Sequence, residues 1–434
     1  MPCDVEDDIA PATPVRRGWW RLLVAVLVGG VLAGLAGAAL TLLLHGVQWL
    51  AYGFGAELLT AVDLAPHWRR VLAPAVGCLV AALTWWWLAR RPSGAWTVDN
   101  VADVVRGKQS RPLQLPGQVA DAVAQIVLVG SGASLGREGA PRQVAAALSD
   151  VVARRAGLDP QWRSRLVAAA AGAGLAAVYG VPLAGAVYAV EVVAVGWTLP
   201  GILVALPMAL LATVIAQPVV GSGPGYDIPA LHPSGSLVLA LVPAVFVWAA
   251  VGLVFTRAMR WATARQVSAG AAGAVAVVAS GLSVGLASVW MPEIAGNGQP
   301  IVQLTLGQAA PGLWFLVLLM VAKTAVTGAH LAAGARGGLL TPALAVGAAA
   351  GGVMARQQPD VASLALVALL AAAAVLAVAQ NAPVFAALFV AELCRPSAEV
   401  WLLLMAVTSC TWIVARLVVR HRPKQLPDMV RRRP

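Results

Sequence analysis

Long apolar runs alternate with short polar or Gly- and Pro-rich breaks along this chain of 434 residues. A run of about 18 or more apolar residues is long enough to cross a bilayer as a helix. Six such runs and two shorter ones predict membrane helices at Leu22–Leu50, Val71–Leu88, Gly196–Val220, Leu237–Phe255, Ala269–Trp290, Val361–Ala379, Ala309–Ala322 and Trp401–Ala415. The pattern predicts an all-α polytopic membrane protein.

Other apolar segments are shorter and are broken by Gly, Pro or a charged residue, at Val119–Ser134, Gln143–Val152, Val181–Val195 and Pro342–Met354. Interrupted helices persist in a bilayer only where their free backbone groups are buried in protein or line a watery cavity. Corresponding interruptions in two halves of a chain indicate a transport site.

The interruptions follow an internal repeat with a period of 201 residues. A proline followed nine residues later by a glutamate occurs at Pro182 and again at Pro383. The upstream segments GREGAP and GGLLTP end at Pro141 and Pro342, each 41 residues earlier. A third pair, SGAW and GNGQP, lies about one repeat length apart. The spacing does not show whether the two halves are inverted.

The repeat suggests one transmembrane domain over residues 22–420, with halves of about 22–217 and 233–420. The start of the chain is acidic and contains Pro, and it lacks the basic start and apolar core of a secretory signal. We therefore expect residues 1–21 to form a cytoplasmic lead and residues 421–434 a short basic cytoplasmic tail.

Composition supports the membrane assignment, because 60% of the residues are hydrophobic and 11% are charged, against roughly a quarter charged in soluble proteins. The net charge is +11, but the basic residues cluster at the ends of apolar segments rather than on one soluble face. This distribution follows the positive-inside rule and argues against nucleic-acid binding. We expect a multi-pass protein of the cell membrane with both termini in the cytoplasm.

The sequence predicts neither a cofactor, a metal site nor an enzyme. Its four cysteines form no CxxC pair, and its five histidines have no metal-ligand spacing. An intramembrane enzyme is the alternative of another class, since GxSxG strings occur at Gly132–Gly136 and Gly281–Gly285. Neither string lies in the strand–turn–helix context that a nucleophile elbow requires.

The segment Gly130–Gln143, GSGASLGREGAPRQ, carries the charges Arg137 and Glu138 within an apolar, Gly-rich region. Charges at such depth are expensive and usually functional. A helix that begins after this turn presents unpaired N–H groups and a positive dipole end to an anion. Glu138 would compete for that position as a tethered anion, and its protonation would release it. The alternative is a Glu138–Arg137 ion pair at the membrane surface.

The segment Gly334–Pro342, GARGGLLTP, repeats the arrangement, with the amides of Leu339 and Leu340 facing an anion. The alternative is an ordinary loop with Pro in the first turn of a helix. In PSGAW, the Ser93–Gly94 pair offers a hydroxyl donor to an anion, although such pairs are also common in turns.

At these residues the sequence resembles the CLC family of chloride channels and chloride/proton antiporters. The family's GREGP motif is similar to GREGA at residues 136–140, with the proline displaced to Pro141. Its GxFxP motif is similar to GLLTP at residues 338–342. Its GSGIP motif is matched only in part, by PSGAW at residues 92–96. The order and spacing match over about Leu22 to Arg420.

The resemblance implies an inverted-repeat fold with many tilted and partial membrane helices, and a homodimer with one pore per subunit. It implies chloride transport as a channel or a chloride/proton antiporter, without the cytoplasmic CBS domains of some members. It also implies Glu138 as the gating and proton-carrying glutamate. The anion-binding residues expected on this basis are Ser93, Gly94, Arg137, Gly139, Gly338, Leu339 and Leu340.

Several departures from the family pattern qualify these expectations. Val192 stands where proton-coupled members often carry an inner glutamate, and Glu191 is expected to be structural. No tyrosine follows Tyr226, so the family's pore tyrosine has no counterpart and the anion site must be closed differently or be looser. Lys323 either shapes the pore potential or forms a structural ion pair. The altered motifs also leave room for a fluoride/proton antiporter.

Overall fold

The computed structural model describes residues 19–53, 57–91, 113–193, 196–231, 233, 235–307, 311–355 and 361–420. Most of the expected lead, the expected anion contacts Ser93 and Gly94, and the expected tail at 421–434 lie outside the described residues. In the described part of the chain, regular structure is almost wholly helical, as predicted.

We number the helices in chain order. They are α1 (Trp19–Tyr52), α2 (Leu58–Leu64), α3 (His67–Ala89), α4 (Leu115–Gly130), α5 (Gly139–Arg155), α6 (Pro160–Tyr179), α7 (Pro182–Val187), α8 (Leu199–Val220), α9 (Gly235–Ala264), α10 (Ala271–Trp290), α11 (Gln299–Leu306), α12 (Leu313–Ala333), α13 (Leu340–Met354), α14 (Val361–Gln380), α15 (Pro383–Cys394) and α16 (Ala398–Arg420). A π-helical turn, Tyr188–Val192, continues α7.

Eight described helices are long and apolar enough to cross a membrane: α1, α3, α8, α9, α10, α12, α14 and α16. Each overlaps one of the eight predicted apolar runs, so these predictions are confirmed. Shorter apolar helices at α4, α13 and α15 lie among them, as the interrupted segments indicated. The chain is a multi-pass membrane protein.

The order of helices repeats along the chain. Helices α5, α6 and α7 begin 201 residues before α13, α14 and α15 respectively. The close packing of the second set depends on small residues, because a Cβ added at Gly347 of α13 would lie 2.6 Å from the carbonyl oxygen of Ala371 in α14. Such small-residue contacts are typical of helices that pack within a bilayer.

The two halves are inverted relative to each other. Glu191, at the end of the α7 segment, accepts a 2.7 Å hydrogen bond from the backbone N–H of Phe385 at the start of α15. Glu392, near the end of α15, accepts a 2.7 Å bond from the N–H of Ala184 in α7. Each carboxylate therefore satisfies amides at the helix start of the other half, which requires antiparallel helices. Glu191 is structural, as expected.

Candidate functional site

The two Gly-rich turns meet inside the protein. The N–H of Gly136 donates to the carbonyl oxygen of Gly338 at 2.7 Å, and the N–H of Gly338 donates back to Gly136 at 2.8 Å. Helix α5 begins at Gly139 and α13 at Leu340, directly after these turns. The start of a helix from each half is thereby fixed at one place, as the repeat suggested.

The carboxylate of Glu138 occupies the start of α13. Glu138 is 0% exposed, and its Oε1 accepts a 2.7 Å hydrogen bond from the N–H of Leu340. Its Oε2 accepts longer bonds from the hydroxyls of Tyr179, at 3.3 Å, and Thr341, at 3.4 Å. A helix N-terminus of this kind binds anions through its free amides and its dipole. The tethered carboxylate therefore sits where a free anion would bind.

Glycine is required on both sides of this carboxylate. A Cβ added at Gly338 would lie 2.0 Å from Glu138 Oε1, and one added at Gly136 would lie 2.2 Å from both carboxylate oxygens. Real Cβ atoms do not approach heavy atoms so closely. The glycines of both motifs thus make room for the Glu138 side chain.

Arg137 does not form the ion pair with Glu138 that we considered as an alternative. Its guanidinium lies 4.8 Å from the centroid of the Tyr179 ring and donates a 3.4 Å bond to the carbonyl oxygen of Val178. The positive charge is placed beside the tyrosine that contacts the Glu138 carboxylate.

Arg142 holds the backbone of Glu138 rather than its side chain. Its Nε donates a 2.7 Å bond to the Glu138 carbonyl oxygen, and its Nη1 is hydrogen-bonded to the hydroxyl of Tyr188. The main chain at Glu138 is therefore held by Arg142, while the carboxylate is held separately by hydrogen bonds from Leu340, Tyr179 and Thr341.

The remaining expected contacts among the described residues are Leu339 and Gly139. Leu339 is the residue before the first of α13, and its N–H donates to no described residue. Gly139 packs instead against Gln125, whose Oε1 would lie 2.4 Å from an added Cβ. Val192 ends the π-helical turn, where no inner carboxylate is present at that position.

A cavity of about 590 Å³, which we call the Tyr226 cavity, lies next to the site. Its walls include His45 and Gln48 of α1 together with Arg137, Tyr179 and Tyr226. Burial raises the pKa of the Tyr226 hydroxyl, so this group stays a neutral hydrogen-bond donor. Tyr179 borders the cavity and also donates to the Glu138 carboxylate.

Lys323 is 0% exposed and forms no ion pair with a described carboxylate, so the ion pair that we considered as one of two alternatives is not seen there. Its Nζ donates to the carbonyl oxygens of Gly296, at 2.6 Å, and Ile294, at 3.1 Å. A Cβ added at Gly298 would lie 3.2 Å from both Lys323 Cε and the Thr341 carbonyl oxygen. The ammonium group therefore lies close to the start of α13.

The sequence did not identify Tyr179, Thr341 and Arg142 as parts of the site. Tyr179 and Thr341 lie within the repeated blocks YGVPLAG and GGLLTP, which is the one signal that singles them out. Their hydroxyl oxygens are 3.0 Å apart. The described residues contain no group of three or more His, Cys, Asp or Glu side chains that could hold a metal ion.

Comparison with known proteins shows the family of this chain. The sequence profile of the family described as voltage gated chloride channel matches residues 76–416. A putative chloride channel protein, ClcB-like, from Ralstonia nicotianae is 31% identical over 334 residues, which are 74% of this chain and 76% of that protein. The voltage-gated ClC-type chloride channel ClcB of Escherichia coli is 29% identical over 416 residues, 93% of this chain and 96% of that protein.

Solved structures show the same fold at lower identity. A slow cyanobacterial Cl⁻/H⁺ antiporter superposes with a TM-score of 0.78 at 19% identity, covering 92% of this chain and 95% of that one. A CLC-type fluoride/proton antiporter superposes with a TM-score of 0.75 at 20% identity, covering 93% and 98%. The family consists of channels and transporters rather than enzymes. This chain belongs to the voltage-gated chloride channel family, the CLC family, whose members transport anions.

Proposed function

We propose that this protein carries chloride across the cell membrane through a pore gated by Glu138, as a channel or a chloride/proton antiporter. The observation that carries the proposal is the fully buried Glu138 carboxylate on the N–H of Leu340. The relatives from Ralstonia nicotianae and Escherichia coli are named as chloride channels, which favours chloride as the anion.

The gate works by exchange of one anion for another. While Glu138 is ionised, its carboxylate fills the anion position at the start of α13. Protonation removes the negative charge, weakens the hydrogen bond from Leu340 and frees the carboxylate to leave. Chloride then binds the amides of Leu339 and Leu340, with Gly338, Gly139 and Arg137 close by. Backbone amides hold an anion without the strong grip of a full cationic partner, so the anion can leave again.

Coupling to protons depends on how the proton reaches Glu138. From the Tyr226 cavity the path is short, because Tyr179 borders both the cavity and the carboxylate. From the other side, Val192 removes the usual inner station. A channel needs no proton route from the inner side. An antiporter needs such a route, and here it cannot use a carboxylate at residue 192.

Fluoride/proton exchange is the second candidate. It is favoured by two hydroxyl groups, those of Tyr179 and Thr341, that lie within 3.4 Å of the Glu138 carboxylate. Fluoride is small and accepts strong hydrogen bonds from hydroxyl groups. The fold similarity to a fluoride/proton antiporter is compatible with this second candidate.

We infer the orientation in the membrane from the helices that border the Tyr226 cavity. The last turns of α1 line the cavity, so the Trp19 end of this helix lies at the opposite face. Helix α16 begins five residues after Leu393, another lining residue, and ends at Arg420 on the opposite face. Both ends lie on one face, which we assign to the cytoplasm by the positive-inside rule. We assign a homodimer from the family resemblance, and light scattering in detergent would test it.

The deciding experiment is anion efflux from proteoliposomes that contain the purified chain, with external chloride and pH recorded together. Chloride efflux with uphill proton movement would establish an antiporter, and chloride efflux without protons would establish a channel. A parallel load of fluoride tests the second candidate. Absence of chloride, bromide, nitrate and fluoride flux would contradict the proposed function.

A further inference from the structure

A second cavity, which we call the Arg260 cleft, lies on the face opposite the Tyr226 cavity. It measures about 450 Å³ and is bordered by Thr256, Arg260 and Thr263 of α9, by Gln380 of α14, and by Leu339. It shares no lining residue with the Tyr226 cavity. Helix α9 follows the loop that carries Tyr226, and the cleft is lined by the last third of this 30-residue helix.

The Arg260 cleft also borders the start of α13. Leu339 lines the cleft, and its N–H donates to no described residue. The next residue, Leu340, holds the Glu138 carboxylate through its own N–H at 2.7 Å. The cleft therefore borders a residue whose backbone N–H is unpaired among the described residues and which directly precedes Leu340, the donor to the Glu138 carboxylate.

Arg260 gives the cleft its charge. It is the one charged residue among the described lining residues, and it forms no ion pair with a described carboxylate. Thr256 and Thr263 lie four and three residues away, on the same face of α9. A low-dielectric cleft with charge of one sign raises the local concentration of ions of the opposite sign.

We propose that Arg260 draws the transported anion into this cleft and so sets the apparent affinity for anions on the face that carries Trp19 and Arg420. The inference rests on the proposed function and adds a residue outside the two Gly-rich motifs. No carboxylate among the described lining residues opposes the attraction. The cleft is the access route to Leu339.

Arg257 supplies a matched control. It is an exposed arginine on α9, three residues before Arg260, and it is not part of the cleft lining. Arg260→Gln and Arg257→Gln remove the same charge from the same helix. A difference between them therefore reports the cleft and not the net charge of the protein.

The test compares the wild type with Arg260→Gln and Arg257→Gln in membrane vesicles of both orientations, with radioactive chloride in the bath. The orientation is identified by whether a protease in the bath removes residues 421–434. When the Arg420 face meets the bath, Arg260→Gln is expected to raise the KM for chloride roughly tenfold at low ionic strength, and less at high salt. Uptake from the opposite face and the maximal rate are expected to stay near wild type.

A chemical probe covers the case in which Arg260→Gln fails to fold. In a chain with Cys3→Ser and Cys410→Ser, Thr263→Cys places a thiol in the cleft. A negatively charged, impermeant methanethiosulfonate reagent is expected to block uptake only from the Arg420 face.

The outcomes separate the two levels of the proposal. Equal KM values for Arg260→Gln and Arg257→Gln, or no block of Thr263→Cys, would overturn the role of the cleft while wild-type anion flux upholds the proposed function. Absence of flux of any tested anion in the wild type would overturn both.

Discussion

The backbone N–H of Leu340 donates a 2.7 Å hydrogen bond to the carboxylate of Glu138, 202 residues earlier in the chain. The bond joins a side chain of one half to the start of a helix in the other. Since free amides at a helix start bind anions, the proposed function has the internal carboxylate and an external anion compete for the same donor. The pH response of the protein is expected to follow from this competition.

Glu138→Gln is expected to abolish the pH dependence of anion flux and to end any proton movement. Glutamine carries no charge, so it mimics the protonated gate at every pH. A hydrogen bond to a charged group contributes roughly 1.5–3 kcal/mol, which corresponds to about a 10- to 140-fold shift in the opening equilibrium. Wild-type flux should rise as the pH falls, while the variant should be high throughout. Wild-type-like pH dependence of the variant would remove Glu138 from the gate.

Tyr179→Phe is expected to increase anion flux at neutral pH by about fivefold, because a net hydrogen bond of roughly 1 kcal/mol to the closed gate is lost. The hydroxyl lies 3.3 Å from the carboxylate, to which it donates, and the ring, which packs 5.3 Å from that of Phe389, is retained in the variant. Tyr52→Phe is the control, since the Tyr52 hydroxyl binds the carbonyl oxygen of Ser131. Similar flux in both variants would show that Tyr179 does not hold the gate closed.

Gly338→Ala is expected to displace the Glu138 carboxylate, because the new methyl group would lie 2.0 Å from its Oε1. The variant should lose the pH-dependent closed state or fold poorly, and flux and thermal stability measured together distinguish these results. Gly46→Ala in α1 has no heavy atom within 4 Å of the added methyl group and should match the wild type. A normal closed state in Gly338→Ala would contradict the position of the carboxylate.

Glu191→Gln and Glu392→Gln are each expected to lower the thermal stability, since each removes a charge from two backbone amides in the other half. The loss should be about 1–3 kcal/mol for each variant. Glu399→Gln at the exposed start of α16 is the control, with an expected effect below about 1 kcal/mol. The pH dependence of flux should persist in Glu191→Gln, and its disappearance would make Glu191 a proton carrier.

Much of the fold was predictable from the sequence, because hydropathy directly reports which segments lie in lipid. All eight apolar runs became long helices, and the Pro–Glu repeat marked the pair α7 and α15. The inversion of the halves was predicted only by family resemblance, since a period of 201 residues is the same for parallel and inverted repeats. The reciprocal hydrogen bonds of Glu191 and Glu392 show that the equivalent helices α7 and α15 are antiparallel.

The candidate site was predicted in part. Glu138 and Leu340 stood in the motifs, and they meet in the structure. Tyr179 and Arg142 were missed, because a tyrosine at the end of an Ala-rich helix and a basic residue in an apolar one have no distinctive spacing. Arg260 was missed for a different reason. Its position depends on how α9 packs beside Leu339, which a linear pattern does not contain.

The exchange of carboxylates between α7 and α15 also bears on how the protein is made. When only the first half has been synthesised, the Glu191 carboxylate lacks the backbone amides of α15 that bind it in the complete protein. The amides of Leu183 and Ala184 likewise lack the Glu392 carboxylate. Within a bilayer, little water is available to satisfy such groups. The hydrogen bonds of the first half can therefore be completed only after α15 has been synthesised. When the two halves are synthesised as separate polypeptides, each should be degraded if expressed alone. Co-expression should stabilise both halves against degradation.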